Sequence, residues 1–213
     1  MTKASQASRS REPSTAHLGW MARALYALLM FIYRRHRFTA VGTPPPERRY
    51  VIIAVPHTSN WDFTYLLAVM FMLRIRVSWL AKHTMFKQPF GRFLCWLGGI
   101  PVDRCSPHGV VDQIVELFSK HEHLIIALAP ENTRRKTDRW KSGFYHIACK
   151  AQVPLLLAYA DYAKKRAGTG LSFLPSGDVK KDMDTIRAFY QDFRGANPEQ
   201  ASTIVLKEEQ HGR

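Results

Sequence analysis

The chain has 213 residues, 46% hydrophobic and 23% charged, which suits one domain with an ordinary core and excludes wholesale disorder. Twelve glycines, twelve prolines and no fixed-period repeat exclude collagen-like and solenoid classes; three cysteines without a CxxC spacing indicate neither a disulfide framework nor a zinc knuckle. Thirty-one Lys and Arg against 17 Asp and Glu leave a net charge of +14, which points to an anionic partner: nucleic acid, an anionic membrane or a phosphorylated substrate.

Residues 1–17 are rich in Ser, Thr and Arg and hold little that folding would bury, so they read as a disordered basic tail. Residues 18–33 form an apolar run, interrupted by Arg23 and closed by Arg34, Arg35, His36 and Arg37. As a helix, such a run reaches roughly 24 Å, short of the ~30 Å hydrocarbon layer. A basic cluster stands where a signal peptide needs small residues and a cleavage site, so secretion is not expected. Trp20, Ala24, Leu25, Leu28 and Ile32 share one face at helical spacing. The pattern predicts an amphipathic helix lying in the interface of an anionic membrane, with plain packing against the domain and a true span as the alternatives. Nine basic and two acidic residues fall within residues 1–49, half of the chain's whole surplus. Pro44, Pro45 and Pro46 then read as a stiff linker, so 18–46 is taken as a membrane-associating helix with its linker and 47–213 as the main domain.

Within that domain, unbroken apolar runs predict strands over 50–56, 77–81, 100–102, 123–129 and 153–162, with a short edge strand at 171–174. Helical patterns fall over 59–73, 91–97, 108–120, 141–151 and 178–193, the last with Met183, Ile186, Phe189 and Tyr190 on its apolar face. Strands without alternation, interleaved with helices, predict an α/β fold: a mainly parallel sheet flanked by helices. Functional groups in such sheets gather at the carboxyl ends of the strands.

His57 directly follows the first strand of this domain, and Asp62 comes five residues later. Ser59 and Asp62 form a capping-box pattern that starts a helix there and turns the Asp62 carboxylate back toward His57. A carboxylate on one imidazole nitrogen fixes the tautomer and leaves the other nitrogen as a base. The competing reading is a helix-start acid beside an ordinary loop histidine. No serine or cysteine has elbow glycines around it, so the histidine would deprotonate a substrate hydroxyl rather than an enzyme nucleophile. His121, Glu122 and His123 precede their strand at its amino end, the wrong edge for a shared site, and no metal is expected.

Further on, Lys82 to Arg104 combine cations with a hydrophobic wedge, residues 129–134 read Ala-Pro-Glu-Asn-Thr-Arg, and Val153-Pro154 opens the strand after them. In this order and spacing, the blocks resemble the glycerolipid acyltransferase family, the group that includes 1-acylglycerol-3-phosphate acyltransferases. There an HxxxxD motif precedes a Gly–Arg block, a PEGTR block and a Val-Pro strand. The resemblance covers roughly residues 50–162. It implies His57 as general base, Asp62 as its orienting carboxylate, Arg104 as a ligand of the acceptor's phosphate with Lys82 in the same region, and Glu131 and Arg134 as residues shaping the acceptor site. Pro154 matches the proline of the last block. It also implies acyl transfer from an acyl thioester, acyl-CoA or acyl-ACP, to the hydroxyl of a lysolipid or other alcohol. Acyl carrier protein would be a partner in the second case, and no cofactor is needed. Two positions depart from the pattern: Pro56 precedes the histidine where many members have Asn, and Asn132 replaces the glycine of PEGTR. Asn tolerates the left-handed backbone that such a turn needs.

Phe86, Phe90, Phe93, Leu94, Trp96 and Leu97 are more aromatic than a short helix needs, and predict a membrane-facing or acyl-binding surface, with core as the alternative. Backbone N–H groups after His57 are candidate oxyanion donors. The cysteine usage suggests a reducing compartment, and the expected place is the cytoplasmic face of the cell membrane, peripheral or monotopic. The competing reading is a basic lipid- or nucleic-acid-binding domain without catalysis. The cations gather near the N-terminus and the motif loops rather than among aromatics along a groove, so no nucleic-acid partner is expected.

Overall fold

A computed structural model describes residues 20–87, 91–103 and 109–210. Seven strands form one sheet in the order β1-β7-β6-β2-β5-β3-β4. At its centre, β2 (Arg49–Val55) pairs in parallel with β5 (Leu124–Leu128) on one side and β6 (Leu155–Asp161) on the other. Beyond β5 lie β3 (Ser78–Lys82) and β4 (Gly99–Val102), both parallel.

The strand runs lack alternation because both faces of the sheet are covered. Along β2, Val51, Ile53 and Val55 pack beneath α4 (Gly109–Lys120), α5 (Gly143–Ala151) and α6 (Val179–Tyr190). Tyr50 and Ile52 face α1 (Trp20–Arg35) and α2 (Trp61–Met72). A short α3 (Gly91–Trp96) precedes β4. The result is an α/β layer structure with five parallel strands and helices on both faces.

Two strands depart from expectation. The last, β7 (Arg166–Phe173), begins five residues before the expected edge strand, runs antiparallel to β6 and lies inside the sheet. The edge on that side is β1 (Thr39–Val41), within the stretch expected to be linker, paired in parallel with β7 through Thr39 and Arg166. The sheet therefore starts before residue 47. Small residues in β7 hide the strand from propensity. Gly168 is one of them: a Cβ there would lie 1.9 Å from the Val41 carbonyl oxygen, so only glycine lets β1 approach.

Helix α1 also differs from the expected single face. Leu29 and Tyr33 are buried against α2, Tyr26 meets Phe71, and Tyr33 meets Tyr65 edge-on. On the other side, Trp20, Leu28 and Phe31 are exposed. The helix has two apolar faces, one packed and one open. No helix among the described residues is long and apolar enough to cross a membrane. In α3, Phe93 and Trp96 stack at 5.9 Å and are both exposed, whereas Phe86 packs toward Trp79; Phe90 lies outside the described residues.

Candidate active site

The parallel strands deliver their following residues to one edge. After β6 comes Tyr162, after β2 His57 and Asp62, after β5 Glu131 and Arg134, and at the end of β3 Lys82. Strands β5 and β6 flank β2, so chain segments far apart in sequence meet around His57.

Asp62 is the fastened member. Its Oδ2 accepts from the backbone N–H groups of Thr58 and Ser59, each at 2.7 Å, and lies 3.5 Å from His57 Nδ1. Its Oδ1 accepts from the Tyr162 hydroxyl at 2.6 Å. The Ser59 N–H bond to Asp62 is one half of the box that the spacing predicts; Ser59 Oγ accepts from the Trp61 N–H at 3.2 Å rather than from Asp62, whose N–H goes to the Ser59 carbonyl, and the N-cap falls on Asn60. With Nδ1 facing the carboxylate, Nε2 is the ring nitrogen left for chemistry. Burial and the Asp62 carboxylate both push the Tyr162 hydroxyl far up, so it stays a donor.

Glu131 holds the same loop from below. It is buried, and its Oε2 accepts the His57 backbone N–H at 2.7 Å. Burial raises its carboxyl to about 7, against the lowering effect of the His57 N–H and ring. Asn132 beside it has φ +56°, the left-handed backbone that glycine supplies in the PEGTR pattern.

From the C-terminal side, the Asn197 side-chain amide donates to the Thr58 carbonyl at 2.8 Å, while the Asn197 N–H donates to Thr58 Oγ1 at 3.2 Å. Gly195 packs against the same loop: a Cβ there would lie 2.7 Å from Thr58 Oγ1 and 3.0 Å from the Pro56 ring. Arg134 closes the top by donating to Asn60 Oδ1.

The histidine opens into a cleft of about 820 Å³. One part is apolar, with Phe63, Leu66, Trp79, Val111, Phe144 and Ile147; another carries Arg134, Arg135 and Lys141. An elongated apolar chain and an anionic group can therefore occupy it together.

Of the expected site residues, His57, Asp62 and Arg134 line this cleft, and Glu131 supports it from the interior. Lys82 is exposed at the end of β3 and does not line it. Arg104 lies outside the described residues. Pro154 lies just before β6 and accepts the Val51 N–H through its carbonyl, a role in joining strands. His123, before β5, meets Arg48 at 3.1 Å at the opposite edge. Four of the N–H groups after His57 are not the free donors expected of an oxyanion hole. Those of Thr58 and Ser59 are bound to Asp62, that of Trp61 to Ser59 Oγ, and that of Asp62 to the Ser59 carbonyl. The same capping that orients the acid occupies them.

Tyr162, Asn197, Arg135 and Lys141 escaped the sequence reading. Tyr162 and Asn197 are 100 and 139 residues from their partners in the loop, and no local pattern marks them. A signal existed for Lys141, which stands in the segment that leads into α5.

The family model described as Acyltransferase matches residues 37–158. The chain belongs to the acyltransferase family. Among curated acyltransferases, it is 27% identical over 155 residues to 1-acyl-sn-glycerol-3-phosphate acyltransferase alpha of Mus musculus, covering 68% of this chain and 51% of that protein. The Homo sapiens protein of the same name is 26% identical over 152 residues, covering 67% and 50%. The chain thus spans about half the length of the curated relatives it matches. In fold, it resembles the crystal structure of the 1-acyl-sn-glycerophosphate acyltransferase PlsC from Thermotoga maritima, with TM-score 0.50 and 16% identity, covering 84% of this chain and 81% of that one. Glu131 and Arg134 fall inside the family match, whereas Tyr162 and Asn197 lie beyond it.

Proposed function

We propose that this chain transfers a fatty acyl group from an acyl thioester to a hydroxyl of a lysophospholipid-type acceptor, 1-acylglycerol-3-phosphate being the first candidate. The carrying observation is the His57 ring, with Nδ1 turned to a carboxylate that three donors hold in place, at the mouth of a part-apolar, part-cationic cleft. The acceptor oxygen gives its proton to Nε2 as it attacks the thioester carbonyl carbon. The resulting oxyanion collapses, the C–S bond breaks, and the leaving thiolate takes the proton back from His57. Asp62 stabilises the imidazolium formed in between. No acyl-enzyme and no cofactor enter this sequence.

Arg134, Arg135 and Lys141 supply the charge for a phosphate, either the acceptor's or one on the donor's carrier; Lys82 and Arg104 extend it in the family pattern. The apolar wall takes the acyl chain. Acyl-CoA and acyl-ACP are the donors considered, the second bringing acyl carrier protein as a partner. The open face of α1 and the surplus of cations suit peripheral attachment to an anionic membrane, on the cytoplasmic face where such thioesters are made.

The test incubates purified protein with labelled acyl-CoA or acyl-ACP and a panel of lysophospholipids and reads the products by mass spectrometry. A diacyl product with release of free thiol is expected. Turnover of the thioester by water alone, with every acceptor left unmodified, would overturn the reading.

A further inference from the structure

A second hollow, of about 500 Å³, lies on the far side of Asp62 from His57, where the Oδ1 partner Tyr162 forms part of its lining. Arg35 and Arg37 reach it from the end of α1, and Lys165 from the turn between β6 and β7. Trp61, Tyr65 and Tyr162 supply aromatic surface. His36 is also there, with Nδ1 at 2.6 Å from the Tyr65 hydroxyl and its ring 5.2 Å from that of Trp61. No acidic residue lines the hollow, and none of its three permanent cations forms an ion pair among the described residues.

We propose that this hollow binds the phosphate of an anionic phospholipid headgroup, as a site separate from the acyl-transfer cleft. Arginines at the end of a helix have an ordinary explanation, since they complement its dipole. Lys165 has none of that kind: it belongs to another element and is brought beside α1 by the bond from the Thr39 N–H to its carbonyl. Cations converging from two elements with no carboxylate in the lining raise the local potential and are relieved by an anion. Arginine binds phosphate through paired, charge-assisted bonds, and the rings give the glycerol part of a headgroup an amphipathic surface. The location favours a lipid over a free ion. Arg35 ends the same helix that exposes Trp20, Leu28 and Phe31, so a bilayer meeting that face brings headgroups to the hollow.

The test uses the full chain and two doubly substituted variants. Arg37→Ala/Lys165→Ala removes cations of the hollow, and Arg23→Ala/Arg34→Ala removes two from α1 outside it; both are first checked for an unchanged unfolding midpoint. Flotation compares phosphatidylcholine vesicles with vesicles containing phosphatidylglycerol. In parallel, glycerol 3-phosphate and inorganic phosphate are titrated while the ring resonances of His36 and His57 are followed by NMR. Diffuse charge accounts for about fivefold in partitioning per cation. The hollow variant is expected to lose more than about 25-fold on phosphatidylglycerol, and more than the α1 variant. In wild type and the α1 variant, both phosphates should move His36, and in the hollow variant neither should.

Equal losses in the two variants would reduce the hollow to diffuse charge and overturn the site. A shift of His36 without preferential loss on vesicles would make it a site for soluble phosphates and overturn the lipid. A shift confined to His57 would place phosphate in the cleft alone. None of these readouts depends on acyl transfer, so the site and the proposed activity stand or fall separately.

Discussion

At the scale of single residues, the chemistry rests on His57 Nε2. Its ring is 25% exposed and lies 3.5 Å from Asp62 without a close hydrogen bond, so His57→Ala leaves little strain behind. Acyl transfer by that variant should fall by ~10²–10⁴ with the thermal midpoint close to wild type, as read by product formation beside a melting curve. Glu131 makes a different prediction. In the folded chain its carboxyl titrates near 7 rather than at the ordinary 4.5. Between those values the unfolded chain gives up the proton while the folded chain keeps it. Its contribution to stability is therefore complete below the lower value and is lost as pH rises through the upper one, by about 3 kcal/mol. Glu131→Gln keeps an oxygen for the His57 N–H and has nothing to ionise. Urea unfolding at about pH 5 and about pH 8 should show a decline in wild type that the variant largely lacks. His57 and Asp62 were legible because five residues of spacing and a helix start bring them together. The bond from the His57 N–H to Glu131 was not, since its partner lies 74 residues away and no local pattern marks it.

At the scale of elements, the loop between β2 and α2 is held from several sides: by Asp62 in the first turn of α2, Glu131 after β5, Tyr162 after β6 and Asn197 after α6. Asn197→Ala leaves the Thr58 carbonyl without its side-chain donor, at a cost of about 1–2 kcal/mol. Because Thr58 adjoins His57, kcat should fall more than KM rises, and Asn197→Asp should not rescue it, since a carboxylate cannot donate. Steady-state kinetics on the three proteins checks this. Helix α1 carries the second element-scale prediction. Deleting it would remove Leu29 and Tyr33 from the core, so loss of membrane binding by a truncated chain would report unfolding as much as detachment. Leu28→Ser and Phe31→Ser alter only exposed positions. Each should lower partitioning into anionic vesicles about tenfold, with unfolding midpoints nearly unchanged. Helical spacing revealed that α1 is amphipathic; which side meets α2 depends on Phe71 and Tyr65, and no periodicity within α1 encodes that.

At the scale of the whole molecule, the surplus of fourteen positive charges predicts that vesicle binding weakens as salt rises. Flotation on anionic vesicles from about 0.05 to about 0.5 M NaCl should show a steep loss for wild type, and the Leu28→Ser/Phe31→Ser protein should detach at lower salt because charge is then its main hold. Composition alone leaves nucleic acid and an anionic membrane as rival partners.

Local pattern alone determined the parallel α/β core, the helix starting after Ser59 and the His57–Asp62 pair, because each follows from apolar runs or capping within a few residues. Folding alone decided that β1 and β7 extend the sheet and that Glu131, Tyr162 and Asn197 converge on one loop. Those outcomes depend on groups separated by up to 139 residues, whose meeting is set by strand order and close packing rather than by any short-range signal.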